Sequence, residues 1–322
     1  MADRTSNSLF PQFVLEKLLN QDQAGRRIVL QGTISGEPAL LLLERGAFDT
    51  EPSHLAALPT LLNNIDPLGH NDIYRWYLAS LQPDHSLGRP PPDVKINLIY
   101  PCTEKHVQKY SFQQVRVVVE SPETYRRYVR PYMHRCRQEG RLNWVFNILE
   151  GRSEQENVLY RSQETSKQDD FLLLPDLNWD RKTVGSLHML ALVERRDLWS
   201  LRDLSKKDVP WLRRLRTTLV DQVVNMYDGV EVDMLKFYVH YQPTYYHFHI
   251  HIVNVSLDPN ATQAVGKALG FDNVISQLET MSGGEASGMA DVELAYTLGE
   301  ASELWQQVFR QLKEGKEPLS TD

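Results

Sequence analysis

An α+β fold in two domains is what the sequence predicts, on three observations. The chain has 322 residues, enough for two domains. Its first third is β-rich, with apolar runs split by turn residues such as Ser35-Gly36-Glu37. The remainder mixes apolar strands with one long pattern, Leu212, Leu215, Leu219, Val223 and Tyr227, that recurs at helical spacing. The boundary is placed at 115/116, giving an N-terminal domain of residues 1–115 and a C-terminal domain of residues 116–322.

In chain order, Arg27 to Ile34 and Pro38 to Glu44 read as strands, being apolar runs bounded by turn residues. Leu58 to Ile65 fits a short helix, and Asn71 to Leu78 is mixed in pattern. The run Gly88-Arg89-Pro90-Pro91-Pro92-Asp93 is loop, because proline cannot donate to a ladder. Val94 to Tyr100 alternates like a strand, Glu104 to Tyr110 fits a helix, and Val115 to Val119 is strand-like but also fits a connecting helix. Leu142 to Glu150 and Asn157 to Arg161 read as two strands around the charged turn Gly151-Arg152-Ser153-Glu154. Phe171 to Pro175 and Leu187 to Val193 are apolar strands. Asp208 is placed as the N-cap of a helix with Pro210 in its first turn, stopped by Asp228-Gly229. Glu231 to Tyr241 and Tyr246 to Ser256 form two long strands around Gln242-Pro243-Thr244. After the glycine-rich loop Ser282 to Glu285 come a last strand, Glu293 to Thr297, and a helix over Glu300 to Lys313.

Composition narrows the function. The net charge of −7 argues against a protein that grips long nucleic acid by its phosphates, which needs a basic excess. A nucleotide-sized anion remains open. No apolar run approaches the roughly 20 residues that cross a bilayer. The opening MADRTSNSLFPQ is polar, without the apolar region of a signal peptide. Cys102 and Cys136 are the two cysteines, which fits a reducing compartment, the cytoplasm and also the nucleus.

The stretch Tyr245 to Val253, YYHFHIHIV, holds three of the ten histidines in five positions. Side chains of a strand alternate, so His247, His249 and His251 share one face and Phe248, Ile250 and Ile252 the other. The outer two histidines of such a strand stand about 13 Å apart. One metal held by all three is disfavoured, since zinc–nitrogen bonds are only about 2.0–2.1 Å. A metal on two of them plus His240 stays open, as does a row of polar side chains on a solvated face. The third reading is nucleophilic chemistry on phosphorus. Imidazole attacks well near neutral pH, and its neighbours orient it and move protons.

His247-Phe248-His249-Ile250-His251-Ile252-Val253 resembles the His-x-His-x-His-x-x signature of the histidine triad superfamily of nucleotide hydrolases and transferases. Leu187 to Arg196, then Ser200 to Leu204, resemble the strand and loop that open such domains. The stretches FVLEKLLN (from Phe13), NDIY (from Asn71), TEKHVQKY (from Thr103), WVFNIL (from Trp144), LPDLNW (from Leu174) and His240 to His251 are similar, in order, to the scavenger mRNA decapping enzymes. The resemblance implies hydrolysis of the 5′ 7-methylguanosine cap on short RNA fragments left by 3′-to-5′ decay. It implies His249 as nucleophile, supported by His247 and His251, with no metal and no cofactor. It also implies a homodimer whose N-terminal domains exchange elements, and a C-terminal antiparallel sheet with packed helices.

By the same resemblance, Trp144 stacks on the methylated base, whose positive charge an aromatic face attracts. By itself Trp144 reads as a core residue. Glu154 would accept from the base edge, Asn71 would contact the base, and Pro175, Asp176 and Leu177 would line the pocket. Alone, Glu154 reads as a solvated turn residue, Asn71 as an Asx turn and Asp176 as a loop or cap residue. Lys109, His240, Thr244, Tyr245 and Lys267 fall where phosphate contacts are expected. Asn178 replaces a lysine usual in the family, and Arg181 or Lys182 stands nearby as a substitute. Three other readings stand beside this one: a triad hydrolase of other nucleotides, a non-catalytic cap-binding protein, and a zinc-binding structural protein.

Overall fold

The structure is a computed structural model that describes residues 9–22, 26–71, 73–83, 88–104, 107, 110–162, 170–176, 179, 181–259 and 261–318. The chain divides into two compact units, Met1–Phe112 and Gln113–Asp322. The boundary expected at 115/116 lies three residues beyond this division, one residue into the strand that opens at Val115.

In the first unit, β1 (Phe13–Gln21), β2 (Arg27–Ile34) and β3 (Glu37–Glu44) form an antiparallel sheet in that order. α1 (Pro52–Leu61) follows. β4 (Asn63–Asn71), β5 (Tyr74–Ser80) and β6 (Val94–Ile99) form a second antiparallel sheet. The helix expected at Leu58 to Ile65 lies earlier, because Pro52 can open a helix at its first turn and Asn63 already belongs to β4. Apart from Pro90 and Gly32, Ala79 is the one buried apolar residue among the described residues of this unit. Val14, Leu15, Leu18, Leu19, Leu40 and Leu42 are exposed.

The second unit opens with β7 (Val115–Glu120). The helix α2 runs over 122–138 with a π-turn at Tyr125–Val129. Then come α3 (Asn143–Leu149), β8 (Tyr160–Arg161), β9 (Phe171–Pro175), β10 (His188–Val193) and α4 (Val209–Met226). The chain continues through β11 (Leu235–His240), β12 (His249–Asn254), β13 (Ala268–Gly270), α5 (Phe271–Thr280) and β14 (Leu294–Gly299) to α6 over 303–313. Six strands form one antiparallel sheet in the order β13-β11-β12-β10-β9-β8, and β14 pairs with β7.

Alternation along the strands gives the six-stranded sheet two buried faces. Phe248, Ile250 and Ile252 join Leu212, Leu215 and Leu219 of α4 and Val274 and Leu278 of α5 in the main core. On the other face, Leu172, Leu174 and Leu192 pack with Leu142, Val145, Ile148 and Leu149. That second cluster corrects the strand expected at Leu142 to Glu150. Val145, Ile148 and Leu149 have the i, i+3, i+4 spacing of a helix face, which a run of seven residues does not distinguish from a strand. Asn157 to Arg161 is also corrected, being a 3₁₀ turn followed by the two-residue β8. Asp208 precedes α4, but its side chain makes no cap bond there. Its carboxylate instead accepts from the Ser205 backbone N–H and hydroxyl and from Arg195.

Candidate active site

The antiparallel register places the histidine row. Leu192 lies opposite His249 and Leu190 opposite His251, so all four belong to the face that α3 covers. Against a solvated row, His247, His249 and His251 are all buried, at 0%, 5% and 7% exposure. His247 stands just before β12, and the strand proper starts at His249.

Each ring is fixed by a specific partner. His247 Nε2 donates to the Val193 carbonyl at 2.7 Å. His249 Nδ1 donates to the His247 carbonyl at 2.8 Å. That bond sets the tautomer, so Nε2 of His249 carries the free lone pair. The Tyr245 ring lies nearly parallel to His249, with centroids 4.3 Å apart. His251 Nδ1 is 3.1 Å from His188 Nε2, and its own Nε2 is buried with no hydrogen-bond partner. His188 in turn lies 3.7 Å from the Asp176 carboxylate. His240, at the end of β11, donates Nε2–H to the Thr262 carbonyl at 2.8 Å, and its ring is 4.2 Å from that of His251. The Tyr238 ring lies parallel to His251 at 4.8 Å and is itself 5.4 Å from His240, so the three rings cluster together.

Burial pushes all of these imidazoles toward the neutral form. It holds His247 and His240 down at about 4 and His249 at about 3, with Thr262, Val193 and His247 carbonyls resisting as acceptors. His251 and His188 are lowered for the same reason. At neutral pH the His249 lone pair is therefore available for attack. The linkage has a definite sign: above the unfolded histidine value of about 6.5 both states are neutral and nothing is lost. Below it the unfolded chain takes up protons that the folded site refuses, so stability falls as pH drops from about 6.5 toward 4. Thermal denaturation should show Tm falling from pH 6.5 to 5, above the range in which most carboxylates titrate. A flat Tm across that window would contradict the buried neutral row.

The other expected residues divide into those the geometry gathers and those it does not. Trp144, on α3, is 45% exposed and meets Tyr245 edge-on at 4.9 Å. Trp144, Tyr245 and His249 thus form a continuous aromatic run with an exposed indole at one end. Pro175 ends β9, buried opposite Met189, and Asp176 follows it with its N–H bonded to the His188 carbonyl. Lys267 donates to the Gln242 carbonyl, with its charge acting on His240, His249 and His251. Thr244 is exposed on the segment that leads to the row, and Glu154 is exposed in its turn with φ 52°. Arg181 is bonded to Asn157 at 2.9 Å, so it is engaged away from the histidine row. Asn71 ends β4 in the first unit, and its side chain lies outside the described residues, as do Lys109, Leu177 and Asn178.

Sequence reasoning missed His188 and Tyr238 as site residues. His188 reaches His251 across 63 positions of sequence. The only available signal was its place in a strand that pairs with the histidine strand.

Two family models and several curated relatives match the chain. The model described as Scavenger mRNA decapping enzyme (DcpS) N-terminal matches residues 8–113. The model described as Scavenger mRNA decapping enzyme C-term binding matches residues 143–266. An m7GpppX diphosphatase of Schizosaccharomyces pombe is 36% identical over 298 residues, covering 92% of this chain and 94% of the relative. The m7GpppX diphosphatase of Ascaris suum is 35% identical over 268 residues, covering 83% and 85%. That of Homo sapiens is 32% identical over 277 residues, covering 84% and 78%.

Proposed function

This chain belongs to the scavenger mRNA decapping enzyme family, and on that premise we propose that it hydrolyses 7-methylguanosine-capped short RNA and the cap dinucleotide. The reaction is a two-step displacement. His249 Nε2 attacks the phosphorus next to the methylated nucleoside, and the bond to the bridging oxygen breaks. A nucleoside or short RNA leaves with a 5′-diphosphate. Water then cleaves the nucleotidyl–histidine bond, giving 7-methylguanosine monophosphate. The observation that carries this reading is the Nδ1–H bond from His249 to the His247 carbonyl, which leaves Nε2 as a neutral, oriented nucleophile. His251, through His188, and His247 support the ring and the transferred nucleotidyl group. His240, Lys267, Thr244 and Tyr245 serve the phosphates, joined by Lys109. By the family resemblance we assign base recognition to Asn71, Glu154, Pro175, Asp176 and Leu177, and no metal or cofactor is required.

The exposure of Trp144 supports cap recognition, because the cationic methylated ring gains from stacking on indole. Wild type incubated with methylated cap dinucleotide and a chelator should release 7-methylguanosine monophosphate, resolved by chromatography. Trp144→Ala should raise KM for the methylated cap roughly tenfold, on a stacking contribution of about 1–3 kcal/mol per base. Its preference over the unmethylated analogue should shrink with it. No preference in the wild type would favour a hydrolase of other dinucleoside polyphosphates. No turnover at all would leave only a cap-binding protein.

The assembly we propose is a homodimer with exchanged N-terminal elements. It is supported by the exposed Val14, Leu15, Leu18, Leu40 and Leu42 of a unit that buries almost no apolar side chain of its own. The cytoplasm, with the nucleus as a second compartment, is the proposed location, supported by two free cysteines, one buried and one exposed.

A further inference from the structure

His240, His249 and His251 bring their rings together at one point of the sheet. One ligating atom from each lies within 4.8 Å of the others. Two independent features prepare these rings as ligands. First, ring nitrogens that do not face the cluster are already committed: His240 Nε2–H to the Thr262 carbonyl and His249 Nδ1–H to the His247 carbonyl. Metal-bound histidines nearly always donate their second N–H to such an acceptor, which fixes the tautomer and presents the other lone pair. Second, His251 Nε2 is buried and finds no partner. The tautomer in which His251 Nδ1–H donates to His188 leaves that nitrogen bare. A buried unpaired acceptor is costly, and a ligand at this point would relieve it.

We propose that this trio is a reversible inhibitory site for Zn²⁺, held by His240 Nδ1, His249 Nε2 and His251 Nε2, with water as fourth ligand. Three neutral imidazoles suit zinc and exclude hard cations such as Mg²⁺. Zinc–nitrogen bonds of about 2.0–2.1 Å in a tetrahedron place ligand nitrogens about 3.3 Å apart, so the ring edges close by up to about 1.5 Å. Coordination uses the lone pair that the proposed reaction needs, so the ion and the capped substrate exclude one another. Lys267 opposes the ion, because its charge bears on all three rings. The inhibitory consequence rests on the proposed function; the binding itself does not.

The test is calorimetric titration of the full chain with Zn²⁺ alone, beside cap hydrolysis at buffered free Zn²⁺. One ion per chain is expected to bind, with activity lost in proportion to occupancy and restored by chelator. His240→Asn removes a ligand, and the affinity should fall at least about 100-fold, at or beyond the top of the range seen for outer-shell changes. Lys267→Gln should tighten zinc while raising KM for the cap, opposite signs that a general loss of structure does not produce. Mg²⁺ should give no heat. Equal zinc affinity in wild type and His240→Asn, or no binding below about 100 µM, overturns the site. Zinc binding with the expected variants in a protein inert on caps upholds the site and rejects the capped substrate instead.

Discussion

Replacing His249 with asparagine should lower cap hydrolysis by roughly 10⁴-fold or more, the scale on which losing a covalent nucleophile acts. Asparagine keeps an amide N–H near the position from which His249 Nδ1 reaches the His247 carbonyl, so the local hydrogen bond has a replacement. It has no nitrogen lone pair at the position of Nε2. Cap binding should therefore persist while the chemical step fails, a fall in kcat without a matching rise in KM. Labelled methylguanylate should be trapped on quenched wild type and not on the variant. A variant that cleaves at the wild-type rate, with unchanged Tm, would remove His249 from the chemistry. So would a label that is trapped equally on both proteins. His247→Asn should act more gently, because the His247 backbone carbonyl that accepts from His249 stays in the variant and the His247 ring donates to Val193.

The parts of this site that could be read in the sequence are those written locally. The strand at Phe171 to Pro175, the helix after Asp208 and the alternation of His247 to Ile252 each depend on neighbours a few residues away. All three appear where the pattern puts them. The face of the histidine row was legible too, but not its burial. That depends on α3, whose short apolar run reads equally well as a strand. What brings His188 and Tyr238 to His251 is strand pairing across long separations, with His188 paired to Val253 and Tyr238 to His251. No local pattern encodes such register. Asp208 shows a different limit: its position before a helix suits a cap, yet a nearby Arg195 and Ser205 compete for the same carboxylate and win.

Glu120→Ala should be among the most destabilising single changes in the chain, by about 3–5 kcal/mol, because it strands a buried charge. Glu120 and Arg202 have fully buried side chains, and Arg202 Nη2 donates to Glu120 Oε1 at 2.6 Å. Tyr241 and Tyr296 hydroxyls each donate to the same carboxylate at 2.6 Å, and Gln242 adds a weaker bond at 3.3 Å. Burial and the Glu120 charge hold both tyrosines far above their usual range, so they stay protonated donors. Arg202 Nη1 donates to the Met289 and Val292 carbonyls, and Nη2 also donates to the Glu120 carbonyl. Removing the carboxylate leaves the guanidinium without its counter-charge and two hydroxyls without acceptors. A unit of this size loses roughly 2–4 °C of Tm per kcal/mol, so a drop of about 10 °C is expected by calorimetry. The double variant Glu120→Met with Arg202→Met should be markedly more stable than Glu120→Ala, since a buried pair replaced as a pair loses little. A Glu120→Ala protein within 1 kcal/mol of wild type would contradict this account. The network also reaches the site: Gln242 accepts Lys267 at its carbonyl, and Tyr241 and Gln242 lead into Thr244, Tyr245 and the histidines. Glu120→Gln keeps the shape but weakens the charge-assisted bonds. It should therefore cost less stability than Glu120→Ala and still raise KM for the capped substrate, by loosening the segment that presents Tyr245 to His249.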